Sequence, residues 1–345
     1  MKQLALAVAL LVGGLPLVLP GQAVSEEEAA PAFRTSGYFS LDFLKGQRAS
    51  GFHQGSLQDV RGGLAFSGTA GGAWDYVFES RFRSEGEFTI EQAFLRLNLS
   101  GVRVRAGMFL VPFGVYNTSN RPHEQALARV PLVVEQAYPA SWRELGACVE
   151  GTFSFLSYSV YGGNGLGEGA RLKDGQQFKD GNADKGFGGR AGVKLDTVEL
   201  GYSYHQSRVG EGNRRRLVLQ AADATWKTME FQILGEYIWT RMDNPAPFGR
   251  GVCRGYHVQA LFPFGTTSLV VGRQEVKYKD PFHGEGFVAP DTAGAGIDDR
   301  RTRWALEILY APLPDLLVKV EYDFNREGGP ERNDDLLTAQ IALKF

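Results

Sequence analysis

Cysteine is nearly absent, with 2 among 345 residues. So few thiols cannot hold together a disulfide scaffold, and Cys148 and Cys253 could form one bridge at most. The excess of positive charge that nucleic acid selects is missing too, because 37 Lys and Arg stand against 39 Asp and Glu. Beyond the first two dozen residues, no run reaches the ~18 apolar residues of a membrane-spanning helix. Catalytic signatures are wanting as well: there is no Gly-x-Ser-x-Gly elbow, His-Glu-x-x-His or Walker loop. The histidines, at 53, 123, 205, 257 and 283, are scattered without zinc-ligand spacing. The glycine runs GGNGLGEG and GAGIDD share composition, but not ligand spacing, with phosphate and calcium loops. These absences predict a chain without cofactor, metal or nucleic-acid partner, and not an enzyme.

The one long apolar run is at the start. Met1-Lys2, then Leu4 to Leu19, then Gly21-Gln22-Ala23 followed by SEEE read as a secretory leader over 1–23, cleaved after Ala23. A short segment, 24–33, separates it from a body at 34–345. That body is rich in the residues of twisted sheets and tight turns, with 44 Gly, 23 Phe, 13 Tyr and 5 Trp in the whole chain.

Two-residue alternation recurs throughout. Phe39, Leu41 and Phe43 alternate with Ser40 and Asp42; Ala93, Leu95, Leu97 and Leu99 alternate with Gln92, Phe94, Arg96 and Asn98. Across the turn NLSG, Val102, Val104, Ala106 and Met108 alternate with Arg103 and Arg105. Sixteen such segments can be traced, the weakest contrast falling at 142–151 and 214–224. Connections alternate between long and short: 44–54, then SGTAGG; 111–141, then GTFS; 163–186, then LDT; 279–301, then APLPD; only the 83–88 connection is short where this rule wants a longer one. An even strand count with short turns at one end and long loops at the other is the pattern of a bacterial transmembrane barrel. The predicted fold is therefore all-β, a transmembrane antiparallel β-barrel of sixteen strands. The alternating DDLLTAQIALKF would then pair with the first strand as well as the fifteenth, leaving no exposed edge.

With the apolar rows turned to lipid, Arg61, Arg81, Arg96, Arg103 and Arg105 face the lumen from neighbouring strands, with Asp59, Asp75 and Glu79. Facing lipid at the midplane, each Arg would cost ~2–4 kcal/mol. Further round, the same reading points Arg190, Lys194, Arg273, Lys277 and Lys319 inward, with Glu236, Glu275, Glu307, Glu321 and Asp323. In MFLVPFG, Pro112 removes a ladder donor and Gly114 frees the backbone, so the chain can leave the wall there. The third long loop, 111–141, follows; it carries Arg121, His123, Glu124, Arg129 and Glu135 and is predicted to fold into the lumen.

The stretch LSGVRVRAGMFLVPFGVYN, with Gly107, Phe109, Pro112, Phe113 and Gly114, resembles a segment of phosphate-selective porin O/P-like proteins. SYSVYGGNG resembles the strand and Asn-Gly loop that often follows, and IALKF resembles the terminal signal read during outer-membrane barrel assembly. The resemblance implies a channel in the outer membrane of a Gram-negative-type bacterium, sixteen-stranded and trimeric, surrounded by lipid and lipopolysaccharide.

These readings converge on a passive diffusion channel for small hydrophilic solutes or ions, with a weak anion preference. Its candidate pore-lining residues are Arg61, Arg81, Arg96, Arg103, Arg105, Arg121, Glu124 and Arg129. Loop 111–141 would set the size limit and the arginine wall the charge bias. Two alternatives stand beside it: a non-conducting structural or adhesive barrel, and an outer-membrane hydrolase whose triad is assembled across strands, with His257 as a candidate.

Overall fold

The computed structural model describes residues 33–345 apart from 85, 168, 170–171, 180–183, 211–213 and 284–299. The predicted leader, nearly all of segment 24–33 and the GAGIDD run lie outside the described residues. The body comprises sixteen strands: β1 (Phe33–Gly46), β2 (Ser56–Thr69), β3 (Trp74–Arg83), β4 (Phe88–Leu99), β5 (Val102–Leu110), β6 (Arg143–Phe153), β7 (Leu156–Gly163), β8 (Gly186–Leu195), β9 (Val198–Val209), β10 (Arg215–Lys227), β11 (Gln232–Met242), β12 (Gly251–Phe264), β13 (Thr267–Asp280), β14 (Arg300–Leu313), β15 (Leu316–Glu327) and β16 (Leu336–Lys344). Each pairs antiparallel with its neighbours in sequence, and β1 pairs with β16, closing the barrel. The closing seam runs from Tyr38 opposite Lys344 to Gly46 opposite Leu336, and Phe345 exchanges two backbone hydrogen bonds with Gly37. No helix among the described residues is long and apolar enough to cross a membrane; the strands do so.

Alternation makes this wall two-faced. In β1, Tyr38, Ser40, Asp42 and Leu44 are buried inside, while Phe39 remains exposed outside. Four register shifts interrupt the ladders, and two of them re-aim charged side chains along β1–β4. Asp59 and Val60 together oppose Leu41, with Asp59 in the left-handed region at φ 53°. At the β3–β4 pair, Glu91 is the extra residue between the pairs Glu79–Gln92 and Ser80–Ile90. A bulge re-aims a side chain. Strict parity puts Glu91 on the row of Ala93 and Leu95, yet it is buried and ion-paired inside.

The third long loop does fold into the barrel. It contains a short helix, α1 (Leu132–Ala137), that touches β11, β12, β13 and β14 from within. Phe113, Val133, Val134, Tyr138 and Trp142 of the loop are fully buried together with Leu217, Leu219, Ile238 and Met242 of the wall. Each large apolar side chain taken fully out of water stabilises by ~1.5–3 kcal/mol, so this packing fixes the loop strongly. The apolar core therefore lies inside the barrel, mostly against β9–β13, and it reaches Phe94, Phe109, Cys148 and Tyr161 of β4–β7.

That core overturns part of the inward assignment. In β13 the buried positions are Val270, Gln274, Val276 and Tyr278, so Arg273, Glu275 and Lys277, expected inside, are on the outer face. The rule of apolar outside and polar inside fails where the inner wall packs on an apolar loop. The other expected inward charges, Arg190, Lys194, Lys319, Glu236, Glu307, Glu321 and Asp323, do lie on inward rows. The boundary between β10 and β11 also differs, because alternation continues through Trp226 to Lys227 and the turn comes at 228–231.

Candidate channel interior

The loop is held at both ends and along its length. Asn117 bridges its two ends: its Nδ2 donates to the carbonyls of Val111 and Trp142 at 2.8 and 2.9 Å, and Trp142 N donates back to Oδ1 at 2.7 Å. Gly114, at φ 61°, turns the chain inward with its N–H on Ser203 Oγ; a Cβ there would collide with the Glu236 carboxylate. Glu236 Oε2 accepts from the N–H groups of Val115 and Tyr116. Farther along, Ala128 N donates to Glu307 Oε2 at 2.8 Å and Glu321 Oε2 at 2.6 Å, while Lys319 Nζ donates to the carbonyls of Pro122 and Gln125. Buried wall charges thus end on loop backbone, the arrangement that satisfies a polar group deprived of water.

Along β1–β5 the interior is charged, and the charges are paired. Arg61 lies 2.7 Å from Asp42 and 3.2 Å from Asp59; Arg81 lies 3.0 Å from Glu91; Arg96 lies 2.8 Å from Asp75. Arg103 and Arg105 share Glu150 at 3.3 and 3.5 Å. From the loop, Arg121 bonds Glu79 at 2.6 Å and Glu124 at 3.2 Å. Arg129 contacts Glu135 at 3.7 Å and Asp323 at 4.0 Å, on the far wall. All eight residues singled out in the sequence therefore lie within the barrel, but Arg129 joins the β14–β15 side and not the arginine wall. Asp42, Glu91 and Glu150 are the partners that sequence reasoning passed over. Glu91 had no usable signal because a bulge inverted its parity; Asp42 and Glu150 were visible as polar positions opposite the arginine rows. With them counted, the expected arginine excess becomes a near balance.

Burial pushes the pKa of His123 down, so the loop is uncharged there at neutral pH. Burial also works against the Arg121 cation, but its bonds to Glu79 and Glu124 outweigh this and hold its pKa above the ordinary value. Two clefts border the loop. One, of ≈ 350 Å³, lies between Tyr38, Ala65 and Glu79 of the wall and Arg121, His123 and Glu124. The other, of ≈ 340 Å³, opens near the short turns and is lined by Arg103, Arg105, Thr118, Glu150, Ser157 and Arg190.

Cys148 and Cys253 are free, buried and inward-facing on β6 and β12. His257 also faces in, 3.4 Å from Glu236. Among the described residues, no group of three or more metal-ligating side chains converges.

No family model matches the chain. An uncharacterized protein of Aquifex aeolicus is 29% identical over 93 residues, 27% of this chain; the match spans only 21% of that relative's length. Solved structures are more informative. OmpT of Vibrio cholerae without its loop L8 superposes with a TM-score of 0.65 at 10% identity, over 91% of this chain and 99% of that one. Salmonella typhi OmpF gives 0.65 at 16% identity, over 91% and 97%. The anion-selective porin from Comamonas acidovorans gives 0.64 at 12% identity, over 90% and 98%. The fold is that of sixteen-stranded outer-membrane porins. At these identities the likeness concerns the fold, and it extends to porins as a class and not to the phosphate-selective group in particular.

Proposed function

We propose that the chain is an outer-membrane porin, a narrow passive channel for small hydrophilic solutes with a weak preference for anions. The observation that carries this reading is the contrast within the interior: an apolar loop packed on β9–β13, and a partly wet charged strip along β1–β5. In a size-limiting passage of that kind, solutes move past fixed charges without any coupled energy source. Paired charges still leave a bias when their ends are unequally exposed. The Arg103 side chain is 51% exposed against 19% for Glu150, and Arg96 is 30% exposed against 19% for Asp75. Arg61, Arg81 and Arg121 are likewise more exposed than Asp42, Glu91 and Glu79. Other pairs run the opposite way, since Asp59, Glu124 and Glu150 are more exposed than Arg61, Arg121 and Arg105; the weak anion preference therefore rests on Arg103 and Arg96, whose guanidinium groups are the open ends of their pairs. Balanced pairing gives no support for phosphate specificity.

The filled half favours the second reading, a barrel too closed to conduct. Single-channel recording of the refolded chain separates the two. Discrete conductance steps support the channel; insertion without steps supports the plugged barrel. A trimeric state and the leader over 1–23 belong to the same proposal, to be checked by crosslinking and by N-terminal sequencing of the exported chain.

A further inference from the structure

The outer face of β9–β14 carries charge where a lipid-facing wall needs none. Arg254, Lys277 and Arg300 are direct cross-strand partners on three adjacent strands, all on outward rows. Like charges placed directly opposite destabilise a sheet, so the row has a cost that lipid tails cannot offset. Arg241 and Arg216 lie one and two outward rows nearer the long loops, and Arg273 lies two outward rows nearer the middle, beyond the row of Tyr256. Against these six cations the same face holds Glu275, bonded to Arg300 at 2.7 Å, Asp243, bonded to Arg250 at 2.9 Å, and Asp280, opposite Val252, so the excess of positive charge is reduced but not cancelled. Arg241 stacks on Trp239 at 4.0 Å and donates to Gln220; Arg216 donates to Gln206. Those partners are neutral, and Arg254 and Lys277 have no carboxylate partner among the described residues.

Position says what they face. Tyr202, Tyr237 and Tyr256 occupy one outward row, and aromatic girdles of this kind mark the membrane interface. Arg254 and Lys277 lie on the loop side of that row, and Arg216, Arg241 and Arg300 lie nearer still to their strand ends. This is headgroup level, where a cation costs only ~0–1 kcal/mol instead of the midplane penalty. Beside the row, Tyr204, Arg216, Gln220, Arg241, Asp243 and Arg250 line an open cleft of ≈ 260 Å³ on the outer wall. It offers hydroxyl, amide and guanidinium groups suited to a sugar bearing phosphate. The opposite side differs: near their long loops, β2–β4 turn Leu57, Phe82, Phe88 and Ile90 outward, with no such outward cross-strand row of cations among the described residues.

We propose that this face docks the phosphorylated saccharide headgroup of an outer-leaflet glycolipid, its phosphates lying between Arg254, Lys277 and Arg300. The proposal rests on the outer-membrane reading but not on conduction, so a closed barrel would leave it standing.

The test is lipid retention by the refolded chain, read by native mass spectrometry with purified bisphosphorylated lipid A. The expected order is lipid A above its dephosphorylated form on the unmodified chain, and a loss of about thirtyfold in Arg254→Gln/Lys277→Gln. The charge-preserving Arg254→Lys/Lys277→Arg keeps binding, which separates lost charge from lost folding. Equal retention of the two lipid forms overturns the proposal. So does complete competition by millimolar inorganic phosphate, which would show a site for free anions. A double Gln variant that retains lipid A but loses its oligomer would also overturn it, by making this face a contact between copies of the chain.

Discussion

Arginine serves differently on the two faces of this wall. Inside β1–β5, Arg61, Arg81, Arg96, Arg103 and Arg105 each have a carboxylate within 3.5 Å, and the partners come from neighbouring strands, bulges and the folded-in loop. Outside β10–β13, Arg216, Arg241 and Arg273 meet amides and indole rings, and Arg254 stands directly opposite Lys277. Confinement explains the difference. A buried guanidinium must be neutralised by the protein, because its desolvation costs several kcal/mol. One at headgroup level can be neutralised by the membrane.

The largest expected effect comes from breaking an inner pair. Glu79→Ala leaves Arg121 largely buried without its main counter-charge, and unfolding in detergent should show a loss of about 3–5 kcal/mol. Arg254→Ala on the outer face should stay within about 0.5 kcal/mol in the same lipid-free detergent. Comparable losses at both sites would mean that the outer row is also held by the protein.

An intermediate effect is expected for selectivity. Replacing Arg103 and Arg105 with Ala leaves Glu150 unpaired in the wet cleft near the short turns. Reversal potentials in a salt gradient should move from weakly anionic toward cationic. No movement would show that the pairs are structural and that another part of the interior sets the field.

The smallest effect concerns His123. Its folded pKa lies below the ordinary 6.5, so the unfolded chain takes up its proton first as pH falls. The sign is therefore a stability present above pH 6.5 and lost below it. His123→Gln should flatten that acid slope of the unfolding midpoint, and an unchanged slope would assign it to other groups.

The barrel was legible in the chain because lipid imposes apolarity on one face of nearly every strand; most predicted boundaries lie within about three residues of the observed ones. The interior was legible only where it is wet. Along β2–β5, polar side chains alternate with apolar ones and the inward arginines could be picked out. Along β10–β13 the inner face carries Leu217, Leu219, Ile238 and Val276 against α1 and its flanks, so both faces have apolar members and parity lost its meaning. That is why Arg273, Glu275 and Lys277 were assigned to the wrong side. Glu91 was hidden differently, by one inserted residue that shifts the period. The loop's entry was legible in Pro112 and Gly114, but its anchors on Glu236, Glu307 and Glu321 join residues more than 100 positions apart, which no local pattern reveals.

The most direct test of a charged passage beside a packed half is site-specific thiol labelling during single-channel recording. In a Cys148→Ala, Cys253→Ala background, Ala65→Cys puts a thiol in the cleft beside Arg121, and Ala221→Cys puts one in the apolar packing. A charged methanethiosulfonate reagent should lower conductance at position 65 and leave position 221 unchanged. A channel that responds only at 221, or a chain that never conducts, would contradict the account.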